Sequence, residues 1–252
     1  MSRKEKIRTI HHLASSGGTI ISKSIAAQPD VVFLSELNPS HATLFSPLDP
    51  YPQLVANYPH IFPGRTRPDL LLDRIRDIRE ACAEKRLSLV IRDHSHTDFM
   101  LRKVGVPELR SMLQRADFEV ASIATIRNPI DAWLSMSESG FNRAIPDFTT
   151  YCQRVKLFTE FYADLPLFRY EDFIADTAGV VAAMAGNLDL AFDEGFEARM
   201  GSIRISGDSG RLRNNTRVQT LQRRHMPDEL REEASRPENV DALAALGYED
   251  PI

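Results

Sequence analysis

The stretch Ile7 to Ala27, IRTIHHLASSGGTIISKSIAA, constrains the fold more than any other part of the chain. An apolar β-prone run leads into a loop of small residues, and an apolar run without Pro or Gly follows. That order predicts strand, tight loop, helix. The loop Ser15, Ser16, Gly17, Gly18 and Thr19 carries no bulky side chain, and Ile20 continues into the helix. Backbone N–H groups can therefore close around an anion, with the positive end of the helix directed at the same point. A phosphate is the expected guest, and an ordinary βα turn with a glycine corner is the alternative.

The same alternation recurs downstream. Val31–Ser35, Leu87–Ile91, Glu119–Ile126 and Leu165–Phe168 read as four further strands. Helical spacing marks Asp69–Lys85, Val106–Ala116, Ile130–Ser139, Asp147–Tyr162 and segments from Phe173 to about Met200. Pro129 suits the first turn of one helix and Asp147 the N-cap of another. Strands alternating with helices imply βαβ units, a parallel sheet and ligands beyond the strands' carboxyl ends. The expected fold is an α/β domain with a mainly five-stranded parallel sheet flanked by helices. It spans residues 1–252 as a single domain. Pro39, Pro47, Pro50, Pro52, Pro59, Pro63 and Pro68 make 38–68 a long irregular excursion, read as a lid or insertion. A helical tail is expected over about 219–252.

Composition narrows the function classes. The chain has 252 residues, a net charge of −4 and 42% hydrophobic residues, so neither nucleic acid nor an acidic membrane is indicated as a partner. An anion site must then be a local basic cluster. Cys82 and Cys152 both fall in helical segments, which fits buried thiols in a reducing cytoplasm. No apolar run reaches the length of a membrane span.

Polar motifs follow each predicted strand: the small-residue loop, Glu36, Arg92 to His96, Arg127–Asn128 and Tyr170–Glu171. Arg127 and Ser135 are 135 − 127 = 8 residues apart, about two helical turns, so both face one side if Pro129 begins a helix. A guanidinium and a hydroxyl so placed could hold a second phosphate. A salt bridge from Arg127 to Asp131, with Ser135 as helix surface, is the plainer alternative. His11 and His12 lie in the first strand, where at least one should be a core histidine.

SSGGT after one strand, IRNPIDAWLS after another and FRYEDF after a third resemble the sulfotransferases that use 3′-phosphoadenosine 5′-phosphosulfate (PAPS). The likeness runs over residues 7 to 216 in the family's order, and it implies a three-layer α/β fold of P-loop type. It implies that the loop Ser15 to Ile20 holds the 5′-phosphosulfate, that Arg127 and Ser135 hold the 3′-phosphate, and that Tyr170 contacts adenine. Arg211 and Arg213, in SGDSGRLR, match loosely a loop that closes over the nucleotide. The implied reaction is metal-independent sulfuryl transfer from PAPS, as co-substrate, to a hydroxyl or amine of a small-molecule or carbohydrate acceptor. The protein would be cytoplasmic, with a homodimer left open. His94, within Arg92-Asp93-His94, matches the family's base; His96 on the same tip and Glu36 are the further catalytic candidates.

One position departs from the pattern. The family keeps Lys or Arg where this chain has Ser15, which removes a cation from where charge develops. Lys23, Arg92 or Arg65 could replace it. Two rival readings follow: a non-catalytic nucleotide-binding protein, and a Mg-dependent P-loop nucleotide kinase. The absence of the P-loop lysine from the loop speaks against the kinase.

Overall fold

The computed structural model describes residues 5–40, 66–101, 103–140, 142–205 and 225–248. Five strands, β1 (Lys6–His12), β2 (Val31–Leu37), β3 (Ser88–Asp93), β4 (Glu119–Ile126) and β5 (Leu167–Arg169), form one sheet in the order β2-β3-β1-β4-β5. Every pairing is parallel, with Ile10 opposite Arg92, His12 opposite Thr125 and Ile126 opposite Arg169. All strand ends therefore meet at one edge, as the alternation of elements predicts.

The helices are α1 (Gly18–Ala26), α2 (Arg67–Glu84), α3 (His96–Phe99), α4 (Leu109–Arg115), α5 (Pro129–Ser139) and α6 (Phe148–Phe161), then α7 (Tyr170–Ala175), α8 (Thr177–Asn187), α9 (Phe196–Met200), α10 (Asp228–Ala234) and α11 (Pro237–Ala245). Strand alternation decides which helices cover which face. Ile10, Val90 and Ile123 point to the face covered by Ile21 and Ile25 of α1, Phe173 of α7 and Met184 of α8. Ile7, Leu89 and Ile91 point the other way, onto Ile75 of α2 and Leu113 of α4. Ala124 and Ile126 share that second face with Phe148 and Phe158 of α6, and the tail helices add Leu230 and Leu243. Covered on both faces, the central strands read as continuous apolar runs.

Several boundaries differ from the sequence reading. β3 runs two residues past Ile91, and β2 reaches Leu37 through an irregularity between Leu34 and Leu37 that gives Glu36 a φ of 62°. Charged residues can continue these strands because their partners lie on neighbouring strands. α2 begins before Asp69, since Thr66 and Asp69 form a reciprocal capping box around Pro68. Tyr170 opens α7 directly. Pro129 does sit in the first turn of α5, and Asp147 does cap α6 by accepting from the Thr150 amide at 2.7 Å. Cys82 and Cys152 are free and buried. Residues 41–65 of the Pro-rich excursion, Arg65 among them, lie outside the described residues.

Candidate active site at the carboxyl edge of the sheet

The loop after β1 turns on Ser15 (φ 60°) and Gly17 (φ 82°). The Ser16 hydroxyl donates to the Leu13 carbonyl at 2.7 Å and tightens the turn. Gly17 is the N-cap of α1 and offers no side chain to the helix amides; its carbonyl accepts from the Ile20 and Ile21 amides. The Ile20 side chain joins the core beneath. Two rings clasp the loop: a Cβ on Gly17 would overlap the Tyr170 ring, and one on Gly18 would overlap the His12 imidazole. Only glycine permits that approach at either position.

Arg127, the first residue after β4, bends back over this loop. Its Nη1 donates to the Ser15 carbonyl at 3.3 Å, and its guanidinium carbon lies 5.0 Å from the centre of the Tyr170 ring. The loop, the Arg-Asn-Pro turn and the Tyr-Glu-Asp turn thus meet at one point. Asn128 caps α5 by accepting from the Ile130 amide at 2.9 Å, while its own amide donates to Glu171 Oε1 at 2.9 Å. Ser135 is buried on α5 in the second turn.

A second cluster lies on the other side of the loop. Arg92 donates to Glu36 Oε1 at 2.7 Å, and both side chains are more than nine-tenths buried. Alternation sends His12 and Arg92 to the α1 face and His11 and Asp93 to the opposite one. His12 is held well below the usual imidazole range by burial first, then by Arg92 and the neighbouring histidines 11, 94 and 96. It is therefore uncharged at neutral pH. Its Nδ1 faces the Leu13 carbonyl at 3.3 Å, and its Nε2 has no hydrogen-bond partner among the described residues. His96, at the start of α3, is lowered to about 4 by burial and then by His94. His94 anchors the tip through its amide, which donates to the Leu37 carbonyl at 2.9 Å.

Beneath that tip, the His11 ring stacks on Tyr162 with centroids 4.3 Å apart, and its Nδ1 lies 2.9 Å from Asp93 Oδ2. Asp93 also accepts from the Ser95 hydroxyl at 2.8 Å. His11 is thus the satisfied core histidine that the strand pattern requires. Asp98 accepts from the Asn38 amide at 2.9 Å, and burial followed by the nearby Asp93 charge raises it to about 7.

Of the candidate residues, the structure brings Ser15, Gly17, Arg127 and Tyr170 into mutual contact, and groups Glu36, His94 and His96 with Arg92 and His12. Lys23 is buried on α1, one turn beyond the loop. Arg211 and Arg213 lie outside the described residues. The motifs left His12, Asn128 and Glu171 unassigned. The adjacent histidines of an alternating strand could have identified His12, since one of the two must turn toward the loop helix. Among the described residues there is no group of His, Cys, Asp or Glu able to hold a metal ion.

The fold that carries this edge is the sulfotransferase fold. The sulfotransferase domain of the olefin synthase of Synechococcus PCC 7002 superposes with a TM-score of 0.60 at 16% identity, covering 100% of this chain and 98% of that domain. A sulfotransferase from Alicyclobacillus acidocaldarius gives 0.46 at 14% identity, covering 99% and 98%. Mouse sulfotransferase SULT7A1, solved with PAP, gives 0.49 at 12% identity, covering 98% and 90%. No family model matches the chain, and no curated protein matches it in sequence. No helix among the described residues is long and apolar enough to cross a membrane.

Proposed function

We propose that this chain is a sulfotransferase that moves the sulfuryl group of PAPS to a hydroxyl or amine of a small-molecule or carbohydrate acceptor. One observation carries the reading: Arg127 reaches the Ser15 carbonyl while its guanidinium covers Tyr170, whose ring rests on Gly17. Motifs more than a hundred residues apart thereby build one small, basic, glycine-floored surface. The residues present fit the nucleotide. The small loop side chains and the N-terminus of α1, which has no side-chain cap, suit a phosphate, and Tyr170 beside Arg127 is the ring proposed to meet adenine. In this reading the loop from Ser15 to Thr19 binds the 5′-phosphosulfate, and Arg127 with Ser135 binds the 3′-phosphate. Ile20 contributes through the core, because its amide is bonded to Gly17. Arg211 and Arg213 stay in this proposal as closing residues on the strength of the motif alone.

PAPS, when bound, supplies an activated sulfuryl group whose bond to the 5′-phosphate breaks as the acceptor oxygen or nitrogen bonds to sulfur. The protein's part is to align the groups, offset the charge and remove the acceptor proton. His94 is the first choice for that base. His96 stays uncharged at neutral pH and is the second. Glu36 is third, because its carboxylate is engaged by Arg92. Arg92, which pairs with Glu36 and lies near His12, is one described candidate for the missing loop cation. Lys23 is the other described candidate.

Isothermal titration tests the reading. PAP should bind, and more tightly than ATP with Mg²⁺; no binding at millimolar PAP, or the reverse preference, contradicts it. Ser15 favours one rival, a protein that binds the nucleotide without transferring sulfate. A screen of acceptors with labelled PAPS separates the two, because only the enzyme yields labelled product that is lost in His94→Ala.

A further inference from the structure

The last described residues of the chain end on the nucleotide-facing turns. α10 and α11 form a helical hairpin docked on α6, where the fully buried Asn239 donates to Thr149 Oγ1 and to the Glu233 carbonyl, each at 2.8 Å. α11 closes at Gly247 (φ 73°), and the Tyr248 amide returns to the Leu243 carbonyl at 2.8 Å. Such a cap leaves helix-end carbonyls pointing outward. Arg169, the last residue of β5, takes them: its Nη1 donates to Gly247 at 2.8 Å and its Nη2 to Leu246 at 3.1 Å. The same guanidinium lies 5.0 Å from the centre of the Tyr248 ring.

Tyr248 then reaches the site through one carboxylate. Its hydroxyl donates to Glu171 Oε2 at 2.9 Å, and the other oxygen of Glu171 accepts from the Asn128 amide at 2.9 Å. Glu171 follows Tyr170, and Asn128 follows Arg127. A single carboxylate therefore ties together the two turns that bear the proposed adenine and 3′-phosphate residues, and Tyr248 fixes its second oxygen. Burial raises the Tyr248 phenol, with Glu171 adding to it, so the hydroxyl remains a donor throughout the physiological range.

We propose that Tyr248, acting through Glu171 and the Asn128 amide, is a positioning residue for Arg127, the proposed 3′-phosphate residue, so that the C-terminal hairpin is part of the nucleotide-binding apparatus. The proposal rests on the nucleotide reading above. It assigns the hairpin a role in recognising the 3′-phosphate, distinct from simply covering α6.

Tyr248→Phe, which deletes one hydroxyl, tests it in the full chain. Titration with PAP and with adenosine 5′-phosphate should show the PAP affinity falling about fivefold or more, the scale of a partly transmitted charge-assisted hydrogen bond. The monophosphate affinity should change less than about twofold on the same scale. In an Arg127→Ala background, Tyr248→Phe should have no further effect. Amide hydrogen exchange supplies a readout that needs no ligand: the Asn128 amide should exchange faster in Tyr248→Phe, while Ile123 in the core of β4 should not. A merely structural role would lower stability and leave the PAP-to-monophosphate ratio intact, and that unchanged ratio overturns the proposal whatever the exchange rates. If the wild-type protein itself shows no preference for PAP, the nucleotide reading fails. Unchanged Asn128 exchange would then separately refute the coupling.

Discussion

The two edges of the sheet treat charge in opposite ways. At the amino edge, cations are matched by the chain itself. Lys6 lies 2.8 Å from both Asp189 and Glu119, Arg8 donates to the Leu188 and Asp189 carbonyls at 2.7 and 2.9 Å, and Arg79 Nε donates to the Lys6 carbonyl at 3.1 Å. Of that group only Arg79 Nη1 is buried without a partner among the described residues. Helices end at this edge, so exposed carbonyls gather there and the cations offset them. At the carboxyl edge helices begin, and titratable groups crowd together. Arg92 and Glu36 are buried as a pair, two imidazoles are pushed down, and His12 Nε2, His96 Nδ1 and Asp93 Oδ1 have no hydrogen-bond partner among the described residues. The first edge is an arrangement that stabilises. The second carries unmet polar groups of the kind found at sites that act on a ligand.

Disrupting the carboxyl edge should therefore cost far more than disrupting the amino edge. The largest expected effect is on stability: Glu36→Ala takes away the carboxylate that pairs with the buried Arg92, and should cost about 3–5 kcal/mol in denaturant unfolding. A loss under about 1 kcal/mol would mean that Arg92 behaves as a surface cation, and the contrast would collapse. Next, Arg127→Ala should weaken PAP binding by roughly 10- to 100-fold, as expected for losing a charge-assisted contact to phosphate, with little change in Tm. A drop in Tm with intact binding would make Arg127 a mere loop support.

Acid response sharpens the comparison further. His96 titrates near 4 in the folded protein and near 6.5 when unfolded, so the unfolded chain binds more protons between those values. Stability is thus lost as pH falls through that window, and His96→Gln should reduce the loss in a Tm-against-pH series. Asp98 has the opposite sign. Its carboxyl is raised from 3.8 to about 7, so the folded state holds the proton longer and loses stability as pH rises across that range. Asp98→Asn should remove this loss between about pH 4 and 7 in the same Tm-against-pH series. The smallest effect belongs to the amino edge: Lys6→Ala should cost no more than about 1 kcal/mol and leave PAP binding unchanged.

How much of this was legible in the sequence depends on how far apart the interacting residues lie. The strands β1 and β4, Pro129 in the first turn of α5 and the Asp147 cap of α6 are local signals, legible from neighbouring residues alone. The carboxyl-edge placement of the motifs followed from βαβ order alone. Strand ends are hidden where charged residues continue them: Arg92 and Asp93 belong to β3 because Glu36 and His11, 56 and 82 residues away, supply their partners. Alternation requires His11 and His12 to face opposite ways, but only the packing of α1 and α6 decides which is which. The Asn128–Glu171–Tyr248 chain spans 43 and 77 residues and has no local signature. Arg65, Arg211 and Arg213 lie outside the described residues.

The central claim is that the loop after β1 and the Arg127–Tyr170 turns form one site for a nucleotide with phosphates at both ends of its ribose. Calorimetric titration of the wild-type protein with PAP and with adenosine 5′-phosphate tests it most directly. PAP should bind at least about tenfold more tightly, the share of the affinity expected from a charge-assisted 3′-phosphate contact. Equal affinity for the two ligands, or no binding of either at millimolar concentration, would contradict it.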